Sequence, residues 1–173
     1  MSERKDIQIK QVIEVSEKKA ITRYILEALP EWFEVESSRE EYIRCCDDKM
    51  FFAAFAEDEA SDGNASDGNV SGDKAVGFLY LKETGKDTLE IAVMGVLKEC
   101  HKHGVGRKLF EKAKETAAKE GYSFLQVKTV KMGMYEDYDQ TNKFYQAVGF
   151  KELEVFPTLW DEANPCQIYV MAL

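Results

Sequence analysis

The stretch HKHGVGRKL, residues 101–109, lies between a predicted strand and a predicted helix. Gly104 and Gly106 leave the backbone without side chains at this junction, and Lys102, Arg107 and Lys108 add positive charge. The first backbone N–H groups of a helix have no partner inside it, and the helix dipole adds about half a positive charge at the same end. The stretch therefore predicts a cradle for a phosphate group.

Around this cradle, hydrophobic periodicity predicts an alternating series of strands and helices. Before it we expect a strand at 7–12, a helix at 16–29 and a second helix that begins with a capping box at Ser38 and Glu41. A three-stranded antiparallel meander follows, with strands at 50–56, 75–83 and 88–96 and a turn at 84–87. After it we expect a helix at 104–120 that ends at Gly121 and a strand at 123–130. A short helix at 140–148 and two strands at 150–156 and 167–173 complete the chain.

Length and composition predict one globular domain over residues 1–173. The chain has 45% hydrophobic and 32% charged residues. Its first residues contain no apolar run, and no window approaches the roughly 20 apolar residues of a membrane helix, so we expect a cytoplasmic protein that does not bind a membrane. The cysteines form no C-x-x-C pair, which disfavours a zinc site or a disulfide framework; they are Cys45, Cys46, Cys100 and Cys166.

The segment 57–73, EDEASDGNASDGNVSGD, is a low-complexity stretch with six acidic residues and no basic one. Since the net charge of the chain is −9, the remainder carries only −3. Its Gly, Ser, Asn and Asp residues predict a flexible loop. The alternative is a calcium loop from Asp62, but the EF-hand pattern requires glycine where Asp67 stands. No basic stripe appears, so we expect no nucleic-acid partner.

The residues of the cradle leave its ligand open. The stretch is not a Walker loop, and Leu109 stands where a dinucleotide-binding fingerprint has its third glycine. The glycines could also serve only to bring helix and strand close together. His101 and His103 are the two histidines of the chain, too few for a structural metal site, and we expect no metal.

Two motifs together resemble the GNAT superfamily of acyl-CoA-dependent N-acetyltransferases. That family carries Q/R-x-x-G-x-G/A at the start of its main helix, and an aromatic–tyrosine pair before G-F in its last helix. Here these read His101-Lys102-His103-Gly104-Val105-Gly106, and Phe144-Tyr145 before Gly149-Phe150. The element order is similar from Ile7 to Leu173. The resemblance implies a GNAT-type α/β fold: a mixed, largely antiparallel twisted sheet of about seven strands with about four helices on both faces.

The resemblance also implies acetyl-CoA as the acyl donor and indicates the residues that bind it. Backbone N–H groups from about His101 to Lys108 would hold the pyrophosphate, that is, those of His101, Lys102, His103, Gly104, Val105, Gly106, Arg107 and Lys108. The strand residues Met94, Gly95 and Val96 would pair with the pantetheine arm, with Gly95 as the expected bulge that splays two strands and admits the thioester.

Two departures from the family pattern concern the same ligand. The family's Q/R position is His101, which carries only part of a charge at neutral pH, so we expect weaker binding. The family's asparagine, seven residues before the helix tyrosine, is Tyr138 here, and Asn142 is out of register for that role. Tyr138 and Thr141 are therefore the candidate CoA contacts on this helix.

Amide formation from a thioester requires a neutral amine and favours a protonated leaving thiol. A lysine-like amine with a pKa of about 10.4 is neutral only about 0.04% of the time at pH 7, so a base helps. Glu90, at the position of the base in histone-acetylating relatives, is the candidate; on a regular strand it shares a face with Ala92, Met94 and Val96, which could raise its pKa. Tyr145 is the candidate acid. Core packing of Tyr145 and solvent exposure of Glu90 are the alternatives.

The acceptor is expected to be a small-molecule or peptide amine, bound by a monomer or homodimer. Aromatic and acidic side chains of the segments 29–38 and 156–166 and of the last helix could form its pocket: Trp32, Phe33, Trp160, Glu136, Asp137, Asp161 and Glu162. Each could equally be a packing or solvated residue. A non-catalytic acyl-CoA-binding module and a nucleotide-binding protein stay open as alternatives, whereas Cys100 as a nucleophile has no base to activate it.

Overall fold

The computed structural model describes residues 6–56 and 74–173. The predicted loop at 57–73 and its calcium-binding alternative at Asp62 lie outside the described residues. No helix in the described part of the chain is both long enough and apolar enough to cross a bilayer.

The described residues form a mixed α/β fold in which a seven-stranded sheet carries four helices. In chain order the elements are β1 (Ile7–Val12), α1 (Val15–Glu27), α2 (Glu36–Cys45), β2 (Met50–Ala56), β3 (Lys74–Gly85), β4 (Thr88–Val96), a short 3₁₀ turn (Lys98–Cys100), α3 (Val105–Lys119), β5 (Phe124–Val130), α4 (Glu136–Ala147), β6 (Lys151–Asp161) and β7 (Asn164–Ala172). The strands are ordered β1-β2-β3-β4-β5-β7-β6, and every pair except β4–β5 is antiparallel. The GNAT-type architecture predicted from the sequence is confirmed.

Helices cover both faces of the sheet, and glycines on the strands show how closely they approach. A Cβ on Gly95 of β4 would lie 2.8 Å from Cγ2 of Ile25 in α1, and a Cβ on Gly77 of β3 would lie 3.3 Å from Cδ1 of Leu109 in α3. Gly95 pairs with Phe78, the residue after Gly77, and successive strand residues point to opposite faces. Helices α1 and α3 therefore pack on opposite sides, with α2 beside α1.

The ends of several elements differ from the sequence-based expectations: β3, for example, runs to Gly85, two residues into the expected turn, and β7 begins at Asn164. Helix α2 begins at Glu36 with Val35 as its N-cap residue and no side-chain cap, so the capping box at Ser38 was wrong. Helix α4 begins at Glu136 rather than 140, because its acidic first turn suits the positive end of the helix dipole and Asp139 accepts a hydrogen bond from the Gly133 amide at 2.6 Å. The segment 156–166 is mostly strand, since β6 runs to Asp161.

The single parallel pair creates a gap in the sheet. Strands β4 and β5 pair only from Thr88–Phe124 to Ile91–Val127. Beyond these pairs, residues 92–96 of β4 and 128–130 of β5 have no partner across the gap, while β5 stays paired with β7 as far as Val130. We call this gap the opening, its end beside Ile91 the closed end, and its end beside Val96 the open end.

Candidate active site

The β-bulge beside the opening lies at Ala92. Tyr80 of β3 pairs with Val93 and Leu81 pairs with Ile91, so Ala92 is the extra residue of β4. The expected bulge at Gly95 was therefore wrong. Gly95 is instead the point where α1 lies directly on the strand, and a Cβ there would lie only 2.8 Å from Cγ2 of Ile25, which explains why the position needs glycine.

The bulge changes the face of the sheet on which Glu90 lies. Glu90 pairs with Lys82 and Val93 pairs with Tyr80, so these residues face α1 and α2. Met94 lies on the opposite face, where its Cε would be 3.1 Å from a Cβ on Gly106. The expectation that Glu90 shares a face with Met94 was wrong because it assumed regular alternation through a position that is bulged.

Glu90 is the centre of a charged cluster at the closed end of the opening. Its side chain is buried, at 4% exposure for the residue, and it accepts hydrogen bonds from Gln126 at 2.6 Å and Lys128 at 2.8 Å. Lys82 lies 3.1 Å from its other carboxylate oxygen. We call Lys82, Glu90, Gln126 and Lys128 the closed-end cluster.

Burial and neighbouring charge act in opposite directions on Glu90. Burial alone would raise the pKa of the carboxyl group, but the hydrogen bond from Lys128 and the charge and hydrogen bond of Lys82 outweigh it, helped by Gln126. The pKa of Glu90 is held below its ordinary value, so the expectation of a raised pKa was wrong. The carboxylate is ionised at neutral pH and three of its roughly four acceptor sites are used.

Tyr145 lies on α4 with its ring in an aromatic cluster. The ring is 5.7 Å from that of Phe150 and 5.5 Å from that of Phe144, centroid to centroid, and the residue is 6% exposed. The Tyr145 hydroxyl has no hydrogen-bond partner among the described residues. Every buried side-chain oxygen of these residues has a hydrogen-bond partner, so the Tyr145 hydroxyl is not fully buried and must reach solvent. Burial raises the pKa of the phenol. Tyr145 therefore presents a protonated, unbonded hydroxyl from a rigid ring.

Asn142 fixes α4 against the sheet beside Tyr145. Its side-chain amide donates to the carbonyl of Val130 at 2.9 Å and its oxygen accepts from the Tyr169 hydroxyl at 2.7 Å. The residue is fully buried. Asn142 is therefore a positioning residue, a role that the sequence motif did not indicate.

The loop before α3 has the backbone shape of an anion site. Lys102 and Gly104 both adopt left-handed conformations, with φ of 63° and 80°, and Gly104 is the N-cap residue of α3. At the ends of the predicted cradle, the amide of His101 donates to Lys98 and that of Lys108 donates to Gly104, each at 3.0 Å. The amides that remain as phosphate donors are those between them, at 102–107.

The two cradle glycines differ in what they permit. A Cβ on Gly106 would lie 3.1 Å from Met94 and 3.3 Å from Phe144, so this glycine allows close packing of α3 against β4 and α4. A Cβ on Gly104 would meet nothing within 4 Å, and only its positive φ requires glycine. Nearby, the Lys108 ammonium lies 3.4 Å from the carbonyl of Ile7, which turns this side chain toward β1.

His101 lies at the open end, on the edge of β4. Its Nε2 is 2.7 Å from the carbonyl oxygen of Val96. The amide of the next residue, Leu97, donates to Val76 of β3, so by strand alternation the carbonyl of Val96 faces the opening. His101, which stands at the Q/R position of the family motif, therefore contacts the Val96 carbonyl of the strand expected to pair with pantetheine.

The segment between α1 and α2 crosses the open end, and we call residues 28–35 the strap. The Trp32 indole donates to the carbonyl of Asp137 at 3.3 Å, and the Tyr138 hydroxyl donates to the carbonyl of Trp32 at 3.0 Å. On the other side Trp32 packs edge-on against His101 at 5.9 Å, and Glu31 pairs with Lys98. The strap is thus tied to both sides of the opening.

The structure brings some predicted acceptor and CoA residues together and separates others. Trp32, Asp137 and Tyr138 meet through the strap, and Phe33 packs edge-on against Tyr42 of α2. The Thr141 hydroxyl bonds to the carbonyl of Asp137 at 3.3 Å. Trp160 is exposed on β6, and Asp161 bonds to Asn164 in the terminal hairpin. The last hairpin also contacts the start of α4, because the Tyr135 hydroxyl donates to the carbonyl of Ala163 at 3.3 Å.

The members of the closed-end cluster other than Glu90 were missed at the sequence level. Gln126 and Lys128 alternate with apolar Leu125 and Val127, which marks one polar face of β5. That pattern could have suggested a polar surface. It could not place the surface beside Glu90, because the register of a parallel pair follows from the crossover helix and not from either strand.

Comparisons with known proteins agree with this architecture. A family model described as an acetyltransferase (GNAT) domain matches residues 48–152. A structure from Desulfovibrio desulfuricans, assigned to acetyltransferases of the GNAT family, is 14% identical with a TM-score of 0.76 over 96% of this chain and 99% of that one. An aminoglycoside 6'-N-acetyltransferase complexed with coenzyme A is 17% identical with a TM-score of 0.67, over 95% and 96%.

A third structure has a protein acceptor in its name. The ribosomal-protein-S18-alanine N-acetyltransferase from Escherichia coli is 15% identical with a TM-score of 0.66, over 96% of this chain and 94% of that one. At such identities the likeness concerns the fold. No curated protein matches the sequence. In the ranges 6–56 and 74–173, no group of three or more His, Cys, Asp or Glu side chains is placed to hold a metal ion.

Proposed function

The chain belongs to the GNAT acetyltransferase family, and from this premise we propose that it transfers an acetyl group from acetyl-CoA to a primary amine by direct attack on the thioester. The observation that carries the proposal is the opening between β4 and β5, with the α3 cradle following its open end in the chain and with α4, which carries Tyr145, tied to β5 through Asn142. A cytoplasmic location, a single domain over the whole chain and a monomeric or homodimeric state remain predictions.

For the donor, the proposal assigns the pyrophosphate to the backbone amides at 102–107. These include the first amides of α3, which have no carbonyl four residues earlier in the helix. The pantetheine arm would pair with the edge of β4 at Met94, Gly95 and Val96, as an added strand would, and the carbonyl of Val96 would exchange its contact with His101 for one with the arm. Acetyl-CoA supplies the acyl group as an activated thioester.

For the acid, the proposal assigns Tyr145. The amine nitrogen attacks the carbonyl carbon, the C–S bond breaks, and the departing thiolate takes a proton from the phenol. The raised pKa of Tyr145 keeps the phenol protonated at neutral pH but makes proton transfer to a thiolate unfavourable by pKa alone. The step therefore requires the hydroxyl to lie directly at the sulfur, and the phenolate then regains a proton from solvent. The aromatic cluster around the ring fixes the direction of the hydroxyl.

For the base, Glu90 remains the candidate. Its lowered pKa keeps it ionised at neutral pH, as a base must be. Its three donors leave about one acceptor site for a proton from the amine, directly or through water. Glu90→Gln is expected to change the acidic limb of the pH–rate profile of kcat/KM; an unchanged profile would remove this assignment.

The test of the proposed function is release of CoA thiol from acetyl-CoA in the presence of amines, with an amine-free blank. The panel contains spermidine, an aminoglycoside, free amino acids and short peptides. Tyr145→Phe keeps the ring and should lower kcat about 100-fold while acetyl-CoA affinity stays within about twofold. Phe156→Tyr, on the exposed side of β6, is a control for a hydroxyl change elsewhere and should leave kcat unchanged.

The outcomes separate the transferase from the binding module. Amine-dependent release that falls in Tyr145→Phe supports acetyl transfer with Tyr145 as the acid. Amine-dependent release that is as fast in Tyr145→Phe as in the wild type would remove the assignment of Tyr145 as the acid but would still support acetyl transfer. Binding of acetyl-CoA by calorimetry with no amine-dependent release would support the non-catalytic reading instead.

A further inference from the structure

The closed-end cluster carries more positive than negative charge. Two lysines, Lys82 and Lys128, share the single carboxylate of Glu90. Gln126, the fourth member, is neutral and also donates to that carboxylate. One positive charge of the cluster therefore has no counter-charge within it.

Among the described residues, no carboxylate other than Glu90 forms an ion pair with Lys82 or Lys128, and this includes Glu41 of α2 on the same side of the sheet. Glu83, next to Lys82, lies on the alternate face and accepts a hydrogen bond from the Tyr122 hydroxyl at 2.9 Å. Glu154 shares the face of Lys128, but Ile168 lies between them, paired with both. Lys128 and Glu154 are therefore two strand spacings apart, about 9.5 Å, and at this separation solvent and salt largely screen the attraction between exposed charges. Glu154 is exposed.

Lys128 is the cluster residue closest to the reaction site in the proposed function. It is the first residue of β5 beyond the last pair with β4, so it lies where the two strands begin to diverge. Ala92, the bulged residue, occupies the corresponding place on β4. The side chain of Lys128 is 27% exposed, and one of its three N–H donors is used by Glu90. The ammonium is thus held in place, partly covered, and still able to bind.

We propose that Lys128, fixed by Glu90 and assisted by Lys82, binds a carboxylate carried by one of the two substrates. This inference rests on the proposed function, and it specifies the chemical class of substrate. The carboxylate belongs either to the acceptor, an amino acid or a similar anionic amine, or to the acyl group of the donor, a dicarboxylic acyl-CoA. The excess charge of the cluster disfavours polycationic acceptors such as polyamines at the same position.

Matched substrate pairs test the proposal and separate the two sources. For the acceptor, each amino acid is compared with its carboxamide in the CoA-release assay with acetyl-CoA. The carboxamide has the less basic amine, so chemistry alone would favour it. For the donor, succinyl-CoA is compared with butyryl-CoA, which has a neutral acyl chain of equal length.

The expected result is a preference of about tenfold or more in kcat/KM for the carboxylate member of one pair, as for one hydrogen bond between charged groups. Lys128→Gln should remove most of this preference; because Lys128 also donates to Glu90, the readout is the ratio of kcat/KM between the two members of a pair, not either value alone. The glutamine amide can still donate to Glu90, which limits unfolding. Lys128→Arg keeps the charge and should retain much of the preference. Lys119→Gln removes an exposed lysine at the end of α3 and should change neither the preference for the carboxylate substrate nor kcat/KM for the neutral one.

Binding gives a readout that does not depend on turnover. Calorimetry measures the affinity of the preferred amino acid with CoA present, or of succinyl-CoA and butyryl-CoA without it, for the wild type and for Lys128→Gln. Weaker binding in the variant supports the carboxylate site even if no acetyl transfer is found, in which case only the proposed function fails. Transfer that is equally fast to carboxylates and carboxamides, and from both acyl donors, would overturn the site while leaving the transferase intact.

Discussion

The two ends of the opening are built from different kinds of interaction. At the closed end, side chains from β3, β4 and β5 meet in a buried ionic cluster around Glu90. At the open end, backbone groups dominate: the edge of β4, the carbonyl of Val96 and the amides before α3, with the strap tied across them. One end is specified by side-chain chemistry and the other by backbone shape.

This difference indicates how the two ends tolerate substitution. Removing a charged side chain at the closed end leaves other charges without partners, which is costly in a buried place. At the open end the sensitive positions are glycines and residues of unusual φ, because a Cβ or a change of conformation there moves the backbone. Four substitutions test this contrast, from the largest expected effect to the smallest.

Glu90→Ala should destabilise the protein by about 2 kcal/mol. The cost of breaking a buried ion pair is about 3–5 kcal/mol, reduced here because Lys82 and Lys128 are 42% and 27% exposed and can turn to water. Urea unfolding at pH 7 measures the loss. Since the pKa of Glu90 is lowered in the folded state, its contribution is complete above the ordinary glutamate pKa of about 4.3 and is lost as the pH falls through the folded value.

The difference between wild type and Glu90→Ala should therefore shrink as the pH is lowered from 7 to 3. Glu83→Ala, which removes an exposed carboxylate from the neighbouring strand, is the matched control, with a change below about 0.5 kcal/mol. A difference that stays constant with pH would contradict the ionic role of Glu90.

Gly95→Ala should cost about 1–3 kcal/mol through overpacking. The added Cβ would lie 2.8 Å from Ile25 and 3.2 Å from Leu29, so α1 must move away from β4. Gly85→Ala is the control, because a Cβ there meets nothing within 4 Å. Equal urea midpoints for the two variants would refute the close approach of α1.

Trp32→Phe should cost about 1 kcal/mol by removing the hydrogen bond to the carbonyl of Asp137. The same substitution at exposed Trp160 is the control and should change stability by less than about 0.5 kcal/mol. Thermal unfolding compares the two, and hydrogen exchange of the strap amides should quicken only in Trp32→Phe. Unchanged exchange would argue against a strap held from α4.

Lys102→Gly should stabilise the protein by about 0.5 kcal/mol. Lys102 has a left-handed conformation, which costs about 1–2 kcal/mol for a residue with a Cβ, and glycine would avoid this cost. The greater conformational freedom of glycine in the unfolded chain takes back about 0.5–1 kcal/mol of that stabilisation. Gly104→Ala is the reverse experiment and should lose about 1 kcal/mol, because its φ is 80° and no steric clash contributes. A loss of stability in Lys102→Gly would show that the lysine side chain has a structural role.

Much of the fold could be predicted from the sequence, because each strand and helix repeats its apolar residues with its own period. The meander β2–β4, helix α3 with its stop at Gly121, and the order of elements were predicted in this way and are confirmed. The ends of α2 and α4 were not, since Val35 caps without a side chain and the start of α4 is polar. Apolar periodicity carries no information about such ends.

The sequence by itself determined the family, through the spacing of Gly104, Gly106 and Tyr145, because these positions depend on local backbone geometry and on one helix. Only the tertiary structure decided the bulge at Ala92, the face on which Glu90 lies and its meeting with Lys82 and Lys128. The bulge depends on how the neighbouring strands β3 and β4 pair, and the contact with Lys128 depends on the register of β4 with β5, which α3 separates in the chain. A shift of one residue reverses every side chain beyond it, and no local pattern records that shift.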